Sequence, residues 1–347
     1  MANSLFQNAL NKTPQKVPPI WFMRQAGRYH SHYQNLRKLH SFDQLCKVAD
    51  LAAEVALGPV LDFDFDVAIL FSDILFPLEA LGFGLQYSDS GPKLDFHLDV
   101  ETIHKMKPAV EVKDFLNFQG DAVKLTRERL PKDKSLVGFI GGPWTLFVYA
   151  CEGGHSGSLT KTKSLLPFLN QFEEQLLILL EHTIQRQLNN GAEIVMIFDT
   201  AAGELSPALF NTFVLPSLKR LTKKFPNHLG YYSKGTQSSF FNNEFLSLPW
   251  AGMGFDHRWD LPAMMKSTLP EVFNVKTGFI QGNFDQSLLH ADFDSLKKYV
   301  SIYLDSWKEL SIEQRAGWVA GLGHGVLPKT PEAHVKYLIQ AIRKGLS

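Results

Sequence analysis

The sequence predicts an α/β fold, a single (β/α)8 TIM barrel with a decorated loop after strand 2, on three observations. Eight short β-rich runs recur along the chain, segments with helical periodicity follow them, and nearly every run ends in a chemically unusual tail. Alternation of strand and helix fits a doubly wound open sheet equally well. The tails separate the two architectures, because polar groups at all eight C-terminal strand ends suit a barrel active site, whereas an open sheet concentrates them near one switch point. The chain has 347 residues, and residues 1–347 are expected to form one domain, since α/β barrels run to about 250 residues or more without dividing.

The runs fall at 17–23, 67–71, 135–140, 193–198, 228–232, 251–255, 277–281 and 317–322. Their tails are, in order, Arg24-Gln25-Ala26-Gly27-Arg28, Ser72-Asp73, Gly141-Gly142-Pro143-Trp144, Asp199-Thr200-Ala201-Ala202-Gly203, Ser233-Lys234-Gly235, Asp256-His257-Arg258, Gly282-Asn283-Phe284-Asp285 and Gly323-His324-Gly325. The clearest helix covers 169–190, where Leu169, Phe172, Leu176, Leu179 or Leu180, Ile184 and Leu188 share one face and Asn189-Asn190-Gly191 supplies a C-cap. Ser206 before Pro207 and Thr330 before Pro331 read as N-caps with a first-turn proline, the latter opening a stripe of Val335, Leu338, Ile339 and Ile342. About 60 residues separate the second and third runs. That is room for the turn-rich piece 85–96, with its Ser90-Gly91-Pro92 turn, and for more than one helix.

Composition narrows the function. Apolar residues make up 45% and charged residues 20%, ordinary for a globular chain with a large core. Lys plus Arg and Asp plus Glu are equal at 35 each, so no overall field recruits nucleic acid or an anionic membrane, and an anionic ligand has to meet a local cationic cluster. The N-terminal stretch lacks the apolar core of a signal peptide, and no aliphatic run approaches the roughly 20 residues of a membrane span, so a cytoplasmic, unprocessed protein is expected. Cys46 and Cys151 are too few for a disulfide framework and read as buried or idle thiols.

Arg24 and Arg28 follow an apolar strand, with Arg37 one or two turns on. Three arginines at one mouth suit a ligand with several carboxylates, each fork binding one of them in bidentate fashion; ion pairs with surface acids are the plain alternative. Asp73 lies in an apolar stretch, where a carboxylate is costly unless it is paired or meets a ligand's donors; an N-cap or an arginine partner would equally account for it. The glycine-rich turn after 135–140 lets a flat ligand approach the backbone, and it lacks the Lys and Ser/Thr of a phosphate loop. Gly321-Leu322-Gly323-His324-Gly325 lacks the third glycine of a dinucleotide fingerprint, so His324 reads as a site residue or a hydrogen-bonded structural group. His30, His32 and His40 read as solvated loop histidines, there being no further ligand at a helpful metal spacing.

Taken together, these segments resemble the uroporphyrinogen decarboxylase family from about Pro18 to Val335. Residues 19–28 match its first signature, P-x-W-x-M-R-Q-A-G-R, and 138–153 its second, including Pro143, Thr145, Tyr149 and Glu152. Phe71-Ser72-Asp73-Ile74-Leu75, Phe198-Asp199-Thr200 with Gly203, Gln281-Gly282-Asn283 and Leu322-Gly323-His324-Gly325 follow in the family's order. The resemblance implies a homodimeric barrel that converts the four acetate arms of uroporphyrinogen to methyls without metal or coenzyme. It places Arg24, Arg28 and Arg37 on substrate carboxylates and Asp73 on the pyrrole N–H groups. Tyr149, Thr200 and His324 complete the polar lining, Ile69 and Phe198 the apolar walls, and the catalytic set is Asp73, Arg24, Tyr149 and His324.

The chain departs from the family pattern at several positions. Ile140 replaces a small residue, Gln286 a proline, Gly321 an asparagine, His30-Ser31-His32 the usual Leu-Pro-Glu, and Thr200 the Ser of some members. All proposed catalytic groups are kept, so these changes bear on loop geometry and substrate fit. The rival readings are a corrinoid-linked methyltransferase, against which stands the absence of a second cysteine near the C-terminal strand ends, and a tetrapyrrole carrier without turnover.

Overall fold

In the computed structural model, residues 2–88, 91–154, 157–266 and 278–346 are described. The strands are β1 (Val67–Ile69), β2 (Gln86–Ser88), β3 (Gly91–Lys93), β4 (Ser135–Gly141), β5 (Ile194–Asp199), β6 (Leu229–Ser233), β7 (Gly252–Gly254), β8 (Phe279–Phe284) and β9 (Trp318–Leu322). Seven of them pair in parallel, in the order β1-β4-β5-β6-β7-β8-β9, while β2 and β3 form a separate antiparallel hairpin.

The eighth stave is a single bridge. Ile20 pairs with Ala320 of β9, Trp21 N and Ala320 N exchange hydrogen bonds with Ala320 O and Pro19 O, and on the other side Asp66 N donates to Ile20 O. The run at 17–23 therefore closes the sheet into a barrel without becoming a strand. Pro18 and Pro19 have no N–H to give a ladder, and the chain is already turning at Met23. The run at 277–281 begins in β8 at Phe279, with Thr277 outside the described residues, and the decorated loop between β1 and β4 holds the β2–β3 hairpin and the helices Phe76–Ala80 and Asn117–Arg129. Ser90 of the expected turn is likewise outside the described residues.

Register fixes which side chains fill the barrel. A Cβ on Gly138 would meet Gln187 of the surrounding helix Leu169–Asn189, so Gly138 faces outward and its neighbours inward. Met196, Phe198, Tyr232, Gly254 and Gln281 follow the inward side through the pairing partners. Ile140 shares Gly138's outward face, so this departure lies under a helix and not in the barrel mouth. On the outer face Trp318 stacks on Trp307 of helix Phe293–Lys308, with ring centroids 3.6 Å apart.

The starts of the strands are covered by helix Ser4–Leu10, which composition did not flag. Asn3 N donates to Ser135 Oγ, Gln7 Nε2 donates to Glu193, and the Phe6 ring lies 5.8 Å from Phe279. This leaves the strand C-termini as the open end. Helix Leu169–Asn189 and the apolar stripe of helix Glu332–Gly345 agree with the sequence pattern, and Ser206 caps as expected, its Oγ accepting from Leu209 N. Thr330 does not cap: Pro331 takes that place, and the Thr330 hydroxyl donates to Leu327 O.

Glu173 is a buried carboxyl between helix Leu169–Asn189 and helix Leu215–Lys224, accepting from Ser217 Oγ at 2.6 Å. Burial, joined by the charge of Asp199, pushes it up to about 7 against the Ser217 hydrogen bond and Arg220. Because the folded value is raised, the stabilisation is full below the ordinary carboxyl range and is lost as pH rises through about 7. Glu173→Gln keeps the shape and the Ser217 bond. It is expected to melt above the parent at pH 8, on the order of 3 kcal/mol more stable, and to coincide with it near pH 4. Thermal melts across that range check this; equal slopes would assign the pH dependence elsewhere.

Candidate active site

The open end gathers the predicted tails. Just past the closing bridge, Arg24 adopts left-handed backbone (φ 55°), which costs a non-glycine residue on the order of 1–2 kcal/mol. The turn lays its side chain over Gly325, where a Cβ would stand 2.5 Å from Arg24 Cδ. That glycine is required because the arginine occupies its side-chain space.

Asp73 follows β1 and is partly buried. Its Oδ1 accepts from Leu75 N at 2.9 Å, the short loop bond typical of Asp. Burial raises its pKa, opposed by the Leu75 and Ile74 N–H groups, the Arg24 charge and the Tyr87 hydroxyl. Tyr149, on helix Pro143–Glu152 after β4, is raised by burial and by the Asp73 charge and lowered by Arg24. Arg24, Asp73 and Tyr149 thus share one electrostatic neighbourhood, although they come from three separate strand ends.

Across the mouth, Phe198 at the end of β5 meets Phe139 at 5.5 Å and Tyr232 at 6.1 Å, and Tyr232 meets the His324 ring at 6.0 Å. The Tyr232 hydroxyl donates to Gly323 O at 2.8 Å. His324 Nδ1 accepts from Gly325 N at 2.6 Å, so a neutral ring carries its proton on Nε2. Ile69 ends β1 on the inward side, in register with Val137, and Thr200 follows β5, half-buried.

Arg28 and Arg37 form a second group. Both are exposed, both charges oppose the burial that raises the Tyr33 pKa, and Arg37 also donates to His40 O at 2.6 Å. Arg37 and Asp73 both act on the buried Cys46, which lies between this group and the first. Among the described residues none of the three arginines forms an ion pair with an acidic side chain. Cys46 and Cys151 are both buried thiols.

Two expectations are corrected. His30 and His32 are not solvated: His30 is fully buried, 2.8 Å from Asp62 and packed on Phe63, and the His32 ring fills the space beside Gly58. Their side chains brace helix Ser31–Leu39 against helix Ala49–Phe63. The glycines at the end of β4 do not open the backbone to a ligand, because Gly142 faces Asp199 and Gly141 faces Ile74 and Leu146. Gly321 is similarly filled by Gln281, whose Nε2 would lie 2.0 Å from a Cβ there. Gln286 opens the short helix Gln286–His290, which Asp285 caps.

The sequence passed over Tyr87 and Tyr232, and marked Arg258 only as part of the tail after the 251–255 run. Tyr87 arrives on the β2–β3 hairpin, and its burial is reinforced by the Asp73 charge in raising its pKa. Arg258 pairs with buried Asp256 at 2.6 Å, and its charge, like that of Arg24, acts on Tyr232. Inward register at the end of the 228–232 run was the available signal for Tyr232; nothing local marked Tyr87. Among the described residues no three of His, Cys, Asp and Glu gather as a metal-ligand set.

The family model of uroporphyrinogen decarboxylase (URO-D) matches residues 1–345. The chain belongs to the uroporphyrinogen decarboxylase family. Relatives bearing that name include proteins of Legionella pneumophila (strain Lens), 32% identical over 98% of this chain and 96% of the relative, and Helicobacter pylori (strain Shi470), 34% identical over 97% and 98%. A third, from Chloroherpeton thalassium, is 31% identical over 99% and 98%. Among solved structures, a methyltransferase from Methanosarcina mazei superposes with a TM-score of 0.73 at 18% identity, covering 99% of this chain and 100% of that one. At that identity the likeness is one of fold. The uroporphyrinogen decarboxylase signatures are thus carried by the strand-end loops, on a barrel that other chemistries share.

Proposed function

We propose that this chain decarboxylates the four acetate arms of uroporphyrinogen III to methyls, releasing coproporphyrinogen III and four CO2 in porphyrin and heme biosynthesis, with no cofactor. The observation that carries this reading is the gathering of Arg24, Asp73 and Tyr149 at the barrel mouth, where the Arg24 charge acts on both of the others. The chemistry requires an electron sink, and a pyrrole protonated on the ring carbon beside the arm is one. The bond to the carboxylate breaks, its electron pair moves toward the ring, and CO2 leaves. Protonation of the resulting methylene and loss of the ring-carbon proton give the methyl.

An ionised Asp73 facing the pyrrole N–H groups stabilises the cation as it develops. Arg24 grips an arm, and Arg28 and Arg37 take others through paired N–H donors. Tyr149, Thr200 and His324 line the polar side, Ile69 and Phe198 the apolar side. A cytoplasmic homodimer belongs to the same proposal; no described helix is long and apolar enough to cross a membrane.

Purified protein incubated anaerobically with uroporphyrinogen III is expected to accumulate hepta- to tetracarboxylic products without added metal, resolved by chromatography after oxidation. Unchanged octacarboxylate would mark a carrier. Dependence on zinc and a thiol acceptor would mark a methyltransferase.

A further inference from the structure

Asp199 is fully buried at the end of β5, and the reaction above makes no use of it. Its Oδ1 accepts from the Thr145 backbone N–H at 2.9 Å and from the Thr145 hydroxyl at 2.6 Å, and its Oδ2 accepts from the Tyr231 hydroxyl at 3.2 Å. Thr145 is the third residue of helix Pro143–Glu152, whose own N-cap, Gly142, has no side chain to offer. The missing cap is therefore supplied from another strand, as a carboxylate at the positive end of the helix. Gly142 has to be glycine for this, since a Cβ would stand 2.4 Å from Asp199 Cγ.

The same Thr145 hydroxyl accepts from Ala201 N at 3.0 Å, and Trp144 Nε1 donates to Ala201 O at 3.1 Å. Gly142 N donates to Phe198 O at 2.9 Å. The backbone on both sides of Thr200 is thus tied to the first turn of the helix that carries Tyr149 one turn further on. Burial pushes Asp199 up to about 6 while the Thr145 and Tyr231 donors pull it down, so near neutrality the cap is an ionised, acceptor-only group.

We propose that Asp199 and Thr145 are positioning residues, a latch that sets the spacing between the Thr200 and Tyr149 hydroxyls around the reacting arm. This rests on the reading above, in which those two hydroxyls line the substrate site. Strain or loss at the latch is felt at the site without either latch residue touching substrate.

A double-mutant cycle on the full chain tests it, with kcat and KM for uroporphyrinogen measured at a temperature where melts show every variant folded. Thr145→Val, which keeps size and removes the hydroxyl, is expected to lower kcat/KM about tenfold, and Thr200→Ala similarly. The double variant is expected to fall no more than about twofold below Thr200→Ala alone, and Thr145→Ser to recover most of the loss. If Thr145→Val has no effect, or its full effect persists in the Thr200→Ala background, the latch is overturned while the place of Thr200 stands. If Thr200→Ala by itself is silent, the place of Thr200 falls and the latch with it. Should Thr145→Val fail to fold, Thr145→Cys, which keeps size and weakens both bonds, replaces it under the same criteria.

Discussion

Asp73→Asn is expected to lower kcat/KM for uroporphyrinogen by at least roughly tenfold, equivalent to about 1.4 kcal/mol of transition-state stabilisation. The substitution isolates charge. Asn keeps the size of Asp, and its side-chain oxygen still accepts from Leu75 N, so the loop after β1 has no reason to move. What is lost is the negative charge proposed to face the developing pyrrole cation, a charge that burial disfavours and that the Leu75 N–H and the Arg24 guanidinium support. An unchanged melting temperature with a depressed rate is the expected pair of results. Wild-type rates would remove Asp73 from the mechanism.

Arg24→Gln is expected to cost more, about a hundredfold in kcat/KM, or roughly 2.7 kcal/mol. Two effects add. One is the loss of the fork proposed to grip a carboxylate arm, a charge-assisted bond pair that a neutral amide replaces poorly. The other acts on Asp73, whose pKa is already raised by burial and rises further once the Arg24 charge is gone. The acid limb of the rate profile therefore moves to higher pH, because a larger fraction of Asp73 is protonated at any given pH. Arg24→Lys keeps the charge and loses the fork, so it is expected to restore the limb and only part of the rate. A loss below about threefold in Arg24→Gln would take the arginine away from the substrate.

Much of this barrel was legible because its local signals agree with its tertiary ones. Helix Leu169–Asn189 shows an apolar face along its whole length, and the β-rich runs are short and bounded by glycine-rich or charged tails. Arg24, Asp73, Thr200 and His324 stand in those tails, while Tyr149, on the helix Pro143–Glu152 after β4, was marked only by the family resemblance. What escaped depends on distant neighbours. Nothing near His30 announces Asp62 and Phe63 as its partners, so an imidazole that reads as solvated becomes a fully buried brace. Gly142 reads as room for a ligand, whereas its space is taken by Asp199, more than fifty residues away. Tyr87 reaches Asp73 only because the β2–β3 hairpin folds back over it. The first stave is no strand for a local reason, namely two consecutive prolines without N–H groups.

That thin stave has a further consequence. Between β9 and β1 the hoop is joined by a handful of main-chain hydrogen bonds around Ile20, and Arg24 hangs directly from the joint. If Arg24 holds a poly-acid as proposed, docking fastens this joint, and occupancy and resistance to unfolding are expected to rise together.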